Sequence, residues 1–477
     1  MLISSLSLCA FPFFMLSFYY FKRDKISYSL GCILIGGLLL RLGVSLDPFL
    51  HAWDERYHAL VAKNILKHPL SPTLYDNPVL SYDFKNWPSN HIWLHKQPLP
   101  LWAIALSLKI FGISAFAVRI PSLILSTMAI WLTFKISKNL FQSNRIALMA
   151  AFFHSINGLI VEITGGRVAT DHIDLFFFFF VELAVFFATT YLKKKTLLQC
   201  CLIGGCIGLA MLCKWLTALV VLPVWVVLAI PQVKRKQVLL NAAVILSTAF
   251  VIFLPWQVYI LLKFPQEAIW ELSSYSRHLT EVIEDRTGGY FYFIGKTMVV
   301  FNELILLVLA WHLYWLFRRR YEAARFSLLL WFFIPLIFFS FAKTKMEAYL
   351  LFTGPALFIL TACFVDELLN LRFQHKAYRW ATGLLVFLVF AFPIRYTLER
   401  IKPFEAFDST DLEPVCRIEQ LKKRGLPSNT LVFNDPHCIE TMFYTPYTSY
   451  EKKPDKLDSV FVKERGYLIY VMPDQGN

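Results

Sequence analysis

YSLGCILIGGLLLRLGVSL (28–46) runs directly into DPFLHAWDERYHALVAKNIL (47–66). The first string is apolar apart from Arg41 and close to the ~20 residues one helix needs to cross the hydrocarbon core. The second opens a polar loop with two adjacent carboxylates, Asp54 and Glu55, just after the chain leaves the span. Ionisable groups at a membrane are costly to place and concentrate where there is a function to serve. A span that delivers a carboxylate pair to a membrane face suits an enzyme working at that surface better than an anchor or a channel.

The same alternation of apolar block and short polar loop continues outward from this segment. Of 477 residues 57% are hydrophobic, 45 of them Phe, and 17% are charged, whereas a soluble domain carries roughly 45–50% apolar and about 25% charged residues. The expected fold class is an all-α polytopic membrane protein with about twelve transmembrane helices, since a β-barrel would show short alternating segments. The spans read as 2–21, 28–46, 116–134, 145–163, 172–192, 197–212, 216–230, 238–256, 291–313, 326–342, 348–366 and 378–395. The first lacks a basic lead-in and a small-residue cleavage site, so it is expected to be retained. Residues 99–112, short and following Pro98, read as a helix in the outer interface. The pair 197–212 and 216–230 reads as two spans or a re-entrant hairpin, and both keep the downstream sidedness.

The net charge of +14 suits a topology signal better than a nucleic-acid surface, and no nucleic-acid partner is expected. The basic residues cluster in short loops: Lys22, Arg23 and Lys25; Lys135, Lys138 and Arg145; Lys193 to Lys195; Lys234 to Lys236; Arg318 to Arg320 with Arg325; Arg372, Lys376 and Arg379. Such loops stay cytoplasmic, which leaves both termini and the loop 47–115 on the other face. Two domains are expected. Residues 1–395 form the membrane domain, and 396–477 form a small extracytoplasmic soluble α/β domain with helices near 411–424 and 436–443 and strands at TLVFND and GYLIYVM. The span cysteines Cys200, Cys201, Cys206, Cys213 and Cys363 read as inert apolar side chains. Cys416 and Cys438 would share an oxidising compartment, where pairing and free thiols are both open.

Sidedness gathers polar residues on the outer face: Asp54, Glu55 and Lys96; Arg167 and Asp171 in GGRVATDHIDLF (165–176); Lys214; Arg277 and His278; and Lys343, Lys345 and Tyr349 in FAKTKMEAYLL (341–351). Carboxylates and cations on one face suit chemistry on an anionic substrate. Each also has a plain structural reading. Asp54 could be solvated loop charge, Asp171 a helix cap paired with Arg167, Lys345 a snorkelling side chain, and His278 a structural histidine.

The order WDERYHALVAKNIL (53–66), HKQPLPLWAIALSLKIFGISAFAVRIPS (95–122), Arg167-x-x-x-Asp171 and Lys345-x-x-x-Tyr349 resembles the glycosyltransferase-C superfamily. The likeness is to its bacterial branch of lipid A aminoarabinose transferases and protein O-mannosyltransferase relatives, over roughly 28–395. The matching positions are Asp54, Glu55, Tyr57, Lys96, Pro98, Leu99, Phe111, Gly112, Arg119, Pro121, Arg167, Asp171, Lys345 and Tyr349. The chain departs from the family pattern at Gln97, at Glu347-Ala348 and in an additional first span. The resemblance implies an inverting transfer of a sugar from a polyprenyl-phosphate carrier to a lipid, glycan or protein acceptor, on the extracytoplasmic face of a bacterial inner membrane. It makes Asp54 the expected general base, with Asp171 and Glu55 as further catalytic carboxylates. Lys96, Arg167, Arg277, Lys345, Tyr349 and Tyr57 are the expected substrate-binding residues. A divalent ion (Mg²⁺, Mn²⁺ or Zn²⁺), with Glu55 and His278 as candidate ligands, and lysines alone are both open as ways to neutralise the phosphate. The competing readings are a transporter or flippase, with charges nearer the bilayer midplane, and a lipid-linked glycan polymerase or ligase.

Overall fold

A computed structural model describes residues 2–169, 171–318, 322–372, 374–405 and 409–473. The apolar blocks form α1 (Leu2–Lys22), α2 (Ile26–Ser45), α5 (Ala115–Phe141), α6 (Asn144–Ser155), α7 (Gly158–Thr164), α8 (Asp171–Lys194), α9 (Leu197–Lys214), α10 (Val221–Ala229), α11 (Arg235–Lys263), α13 (Tyr292–Val300), α14 (Ile305–Arg318), α15 (Ala323–Phe341), α16 (Gly354–Asn370) and α17 (Lys376–Ile401). The loop after α2 carries α3 (Asp54–Ile65) and α4 (Pro98–Phe111), and α12 (Pro265–Thr280) follows α11. Pro98 and Pro265 each start a helix, where a missing N–H costs nothing.

Eight helical stretches are long and apolar enough to cross a membrane, and ten if the bent pairs α6–α7 (53°) and α13–α14 (105°) each count as one. The sequence suggested about twelve, and the difference lies in two places. α1, 21 residues from Leu2 to Lys22, is a further apolar helix that lies outside this count. The stretch Leu197–Ala229 is one unit by length, yet it turns back on itself. Lys214 pairs with Asp174 at the head of α8, while Trp225, eleven residues on, packs edge-to-face on Tyr191 near the tail of α8, centroids 5.5 Å apart. Those two α8 residues lie about 25 Å apart at 1.5 Å per residue. The reversal sits at Trp215, φ +62°, and favours two crossings over one.

α9 and α11 approach closely because Gly204 and Gly208 face α11. A Cβ on either would meet the Ile245 or Ala249 carbonyl at 2.3 or 2.7 Å, the small-residue packing of membrane helices. The basic loops collect at one end of the bundle, where Lys193 reaches Asn139 (2.8 Å) and Arg145 reaches Asp366. Arg319 and Arg320 of that set lie outside the described residues. At the other end stand α3, α4, α12 and the C-terminal segment.

That segment folds as α18 (Ser409–Lys423), β1 (Thr430–Phe433), α19 (Cys438–Tyr444), β2 (Thr448–Ser449), α20 (Lys456–Glu464) and β3 (Leu468–Val471). Its parallel sheet has the order β2-β1-β3. Cys416 and Cys438 are both free thiols. Leu431, Phe433, Phe443 and Tyr450 share one buried cluster with Leu60, Leu74 and Trp93 of the first loop, so the segment packs directly on that loop.

Candidate functional site

Asp54 is the first residue of α3, at the helix end where negative charge is favoured. Its carboxylate faces Lys96, Nζ 3.3 Å away, and both side chains are 16% exposed. Lys96 is held where it is by Gln97 and Pro98 starting α4, with Gln97 accepting from Gln257 at 2.8 Å. Burial would lower the Lys96 ammonium, but Asp54, then Asp174 and Asp171, hold it above its ordinary value.

Asp171 and Asp174 occupy the first turn of α8, three residues apart and on one face. Asp174 pairs with Lys214, whose ammonium lies 4.9 Å from the Tyr349 ring centroid. Asp171 is fully buried and meets His58 Nδ1 at 2.9 Å. Asp171 Oδ2 and His58 Nε2 have no hydrogen-bond partner among the described residues. His58 is four residues after Asp54, so α3 presents both groups on one side. The result is a row of three carboxylates, Asp54, Asp171 and Asp174, interleaved with two lysines at the head of α8.

Glu55 stands apart from this row. Arg119 holds it through two bonds of 2.7 and 2.8 Å, the His51 amide donates at 2.7 Å, and His172 lies at 3.3 Å. Both members of the ion pair have no exposed side-chain surface. Burial alone would raise this carboxyl; Arg119 overrides it and holds Glu55 well below the usual carboxylate range. The remaining Arg119 donors reach the Asp47 and Phe49 carbonyls at 2.7 and 2.6 Å, which ties the loop 46–54 to α5. Gly166, φ +75°, leaves the room: a Cβ there would sit 2.2 Å from Glu55 Oε1. Glu55 therefore orients the loop that carries Asp54, and it shares no bond with His278.

Of the other expected residues, Arg167 binds Asp47 bidentately at 2.8 and 2.9 Å and the Ile401 carbonyl at 3.0 Å, so its partner is Asp47 and not Asp171. Burial would raise Asp47, but His51 and Arg167 hold it below its usual range. Lys345 Nζ donates to the Ser340 and Phe339 carbonyls at the end of α15 (2.6 and 3.2 Å), a C-terminal cap. Tyr349 packs between Phe293 and Phe339 beside Lys214. Arg277 lies over Trp270, 4.9 Å from the centroid, and His278 binds the Ser274 carbonyl at 3.0 Å. Tyr57 turns away into the cluster with Trp87, centroids 5.0 Å apart. Among the described residues no three His, Cys, Asp or Glu side chains gather as a metal-ligand set, and the two candidate ligands are engaged apart, Glu55 with Arg119 and His278 with the Ser274 carbonyl. Sequence reading missed Asp47, Asp174 and the pairing of Arg119, and gave His58 only the weight of a single loop histidine. The i,i+3 and i,i+4 spacings from Asp171 and Asp54 were the available signals for Asp174 and His58.

Residues 95–259 match the family model described as dolichyl-phosphate-mannose-protein mannosyltransferase, a stretch holding Lys96, Arg119, Asp171, Asp174 and Lys214 but not Asp54. The chain is 25% identical over 328 residues to an undecaprenyl phosphate-alpha-4-amino-4-deoxy-L-arabinose arabinosyl transferase of Pectobacterium atrosepticum, covering 66% of this chain and 55% of that one. It is 26% identical over 305 residues to such a transferase of Proteus mirabilis, covering 62% and 54%. The matches thus span about half the length of these relatives. In structure it superposes on ArnT from Cupriavidus metallidurans bound to undecaprenyl phosphate, TM-score 0.64 at 14% identity, over 92% of this chain and 88% of that chain. It also superposes on the archaeal oligosaccharyltransferase AglB from Archaeoglobus fulgidus in complex with an inhibitory peptide and a dolichol-phosphate, TM-score 0.62 at 12% identity, over 93% and 69%. The chain carries the glycosyltransferase-C fold and resembles the polyprenyl-phosphate-sugar branch of that superfamily.

Proposed function

We propose that the protein is an inverting membrane glycosyltransferase that moves a sugar from a polyprenyl-phosphate carrier to a lipid, glycan or protein acceptor. In this reading the site faces the extracytoplasmic side of a bacterial inner membrane. The basic loops at the opposite end of the bundle support that sidedness. The observation that carries the reaction is the half-open pair Asp54–Lys96, set beside the Asp171–Asp174–Lys214 row. An acceptor oxygen attacks the anomeric carbon opposite the phosphate, and Asp54 takes its proton. The bond from that carbon to the phosphate oxygen breaks, and the lipid phosphate leaves with the electron pair. Lys96 stabilises the leaving charge, shared between Asp54 and phosphate, while Asp171 and Asp174 keep the lysines placed. The lysines supply the positive charge, and no step is assigned to a divalent ion.

The test is sugar transfer in nanodiscs from synthetic polyprenyl-phosphate sugars to lipid A, glycan and peptide acceptors. Asp54→Asn should lower turnover by about 10²–10⁴-fold, the usual contribution of a general base, with donor binding and melting temperature unchanged. Turnover near wild type would remove Asp54 from the base role.

A further inference from the structure

A second cavity lies away from the site. Between α1 and α17 the bundle leaves a cleft of about 720 Å³, floored by Phe14, Ile33, Leu148 and Phe152. That is within the ~300–1,000 Å³ of ligand pockets. α1 packs chiefly on α2, and α17 is anchored mainly through α7 at the site end, so the cleft opens sideways to the bilayer. Phe11, Met15 and Phe18 stand 63, 53 and 57% exposed along it. From Ser7 to Phe21 it runs about 21 Å, longer than the ~15 Å half-thickness of the hydrocarbon. An alkyl chain fits.

The charge is at one end only. Arg145 is the one charged residue in the wall. It stands at the basic end, its Nε paired with Asp366 and Nη2 on Asn370; with Lys22, Arg23 and Lys25 after Phe21, four cations there outnumber the two carboxylates Asp24 and Asp366. At the opposite end the wall is Thr397 and Leu398, and nearby Arg400 is already spent on Glu162 and Glu347 at 2.8 and 2.6 Å. α16 alone, from Gly354 at the site end to Asn370 beside Arg145, is about 25 Å long. A phosphate at Arg145 is therefore at the opposite end of the bundle from Lys96.

We propose that this cleft binds an anionic glycerophospholipid of the leaflet at the basic end, one acyl chain in the cleft and the phosphate at Arg145 and the α1–α2 turn. This is a site separate from that of the sugar carrier. Anionic lipids recognise such basic juxtamembrane clusters.

The experiment is native mass spectrometry of the full chain released from nanodiscs of phosphatidylglycerol and phosphatidylethanolamine in equal parts, with and without added polyprenyl phosphate. The expected result is one phosphatidylglycerol retained per chain, insensitive to polyprenyl phosphate. Met15→Trp, which fills the cleft and breaks no bond, should cut retention about tenfold. Arg145→Gln should abolish the preference for phosphatidylglycerol. Equal retention of both phospholipids, replacement mole for mole by polyprenyl phosphate, or unchanged retention by Met15→Trp would each overturn the proposal.

Discussion

The Glu55 carboxylate accepts from Arg119, the His51 amide and His172 without any exposed surface, whereas its neighbour Asp54 stands at the mouth beside Lys96. Removing one partner of a buried pair leaves the other charge stranded, at about 3–5 kcal/mol. Glu55→Gln should therefore lower the yield of folded protein and the melting temperature in detergent, while Asp54→Asn alters turnover alone. A stable, inactive Glu55→Gln enzyme would instead put Glu55 into the chemistry. The pH dependence follows from the same partners. A carboxyl depressed by its partner contributes stability that is complete above the ordinary carboxylate range and lost only as pH falls through the lowered value. Lys96 is raised, so its charge persists up to and past the ordinary lysine range near ~10.4. Turnover should then show no alkaline limb from Lys96 between neutral pH and about pH 9–10. The two acids were legible as a pair beside a span. Their division of labour was not, because it rests on Arg119, 64 residues further on, and no local spacing links the two.

At the scale of elements, hydropathy located nearly every span, because burial in lipid demands the same apolar run wherever the helix packs. It did not locate the breaks. α6 ends and α7 begins at Asn157, whose side chain accepts from the Ile160 amide at 3.1 Å, while Arg41 takes the Ser155 carbonyl at 2.9 Å. These bonds replace helix bonds, and an average over apolar residues does not register them. The reversal at Trp215 has a topological consequence. If α9 and the segment through α10 are two crossings, the loop 230–234 returns to the basic end; a single 33-residue crossing would put it at the site end. With the exposed Cys9, Cys201 and Cys416 replaced by serine, Gln232→Cys should react with an impermeant maleimide from the same side as Lys195→Cys and from the side opposite Trp53→Cys. Labelling of Gln232→Cys from the Trp53 side would establish one crossing.

For the whole molecule, the C-terminal segment is joined to the first loop at a seam that also supports the site, since α3 carries both Asp54 and the seam contacts. Arg56 meets Glu440 at 3.3 Å, and Tyr450 accepts from the Val79 and Leu80 amides at 3.1 and 3.2 Å. Lys63 donates to the Met442 and Thr445 carbonyls at 2.6 and 3.0 Å. The sequence showed the segment's α/β character but not this seam, whose contacts join residues more than 350 positions apart. Burial first, then the neighbouring charge of Lys67, pulls the Lys63 ammonium down to about 8. The direction is that of Glu55 and opposite to that of Lys96: the docked state holds this proton less tightly than the unfolded chain does. Between about pH 8 and the unfolded lysine value near ~10.4, the unfolded chain carries the extra proton, so stability rises with pH across that window. Below it the buried charge is a standing cost. Lys63→Met removes the titrating group, although it leaves two carbonyls to find other donors. Across pH 7 to pH 10, the Tm of the native protein should gain on that of Lys63→Met. Parallel curves would mean that Lys63 is solvated at the seam, and that the segment is held by the Tyr450 and apolar contacts without it.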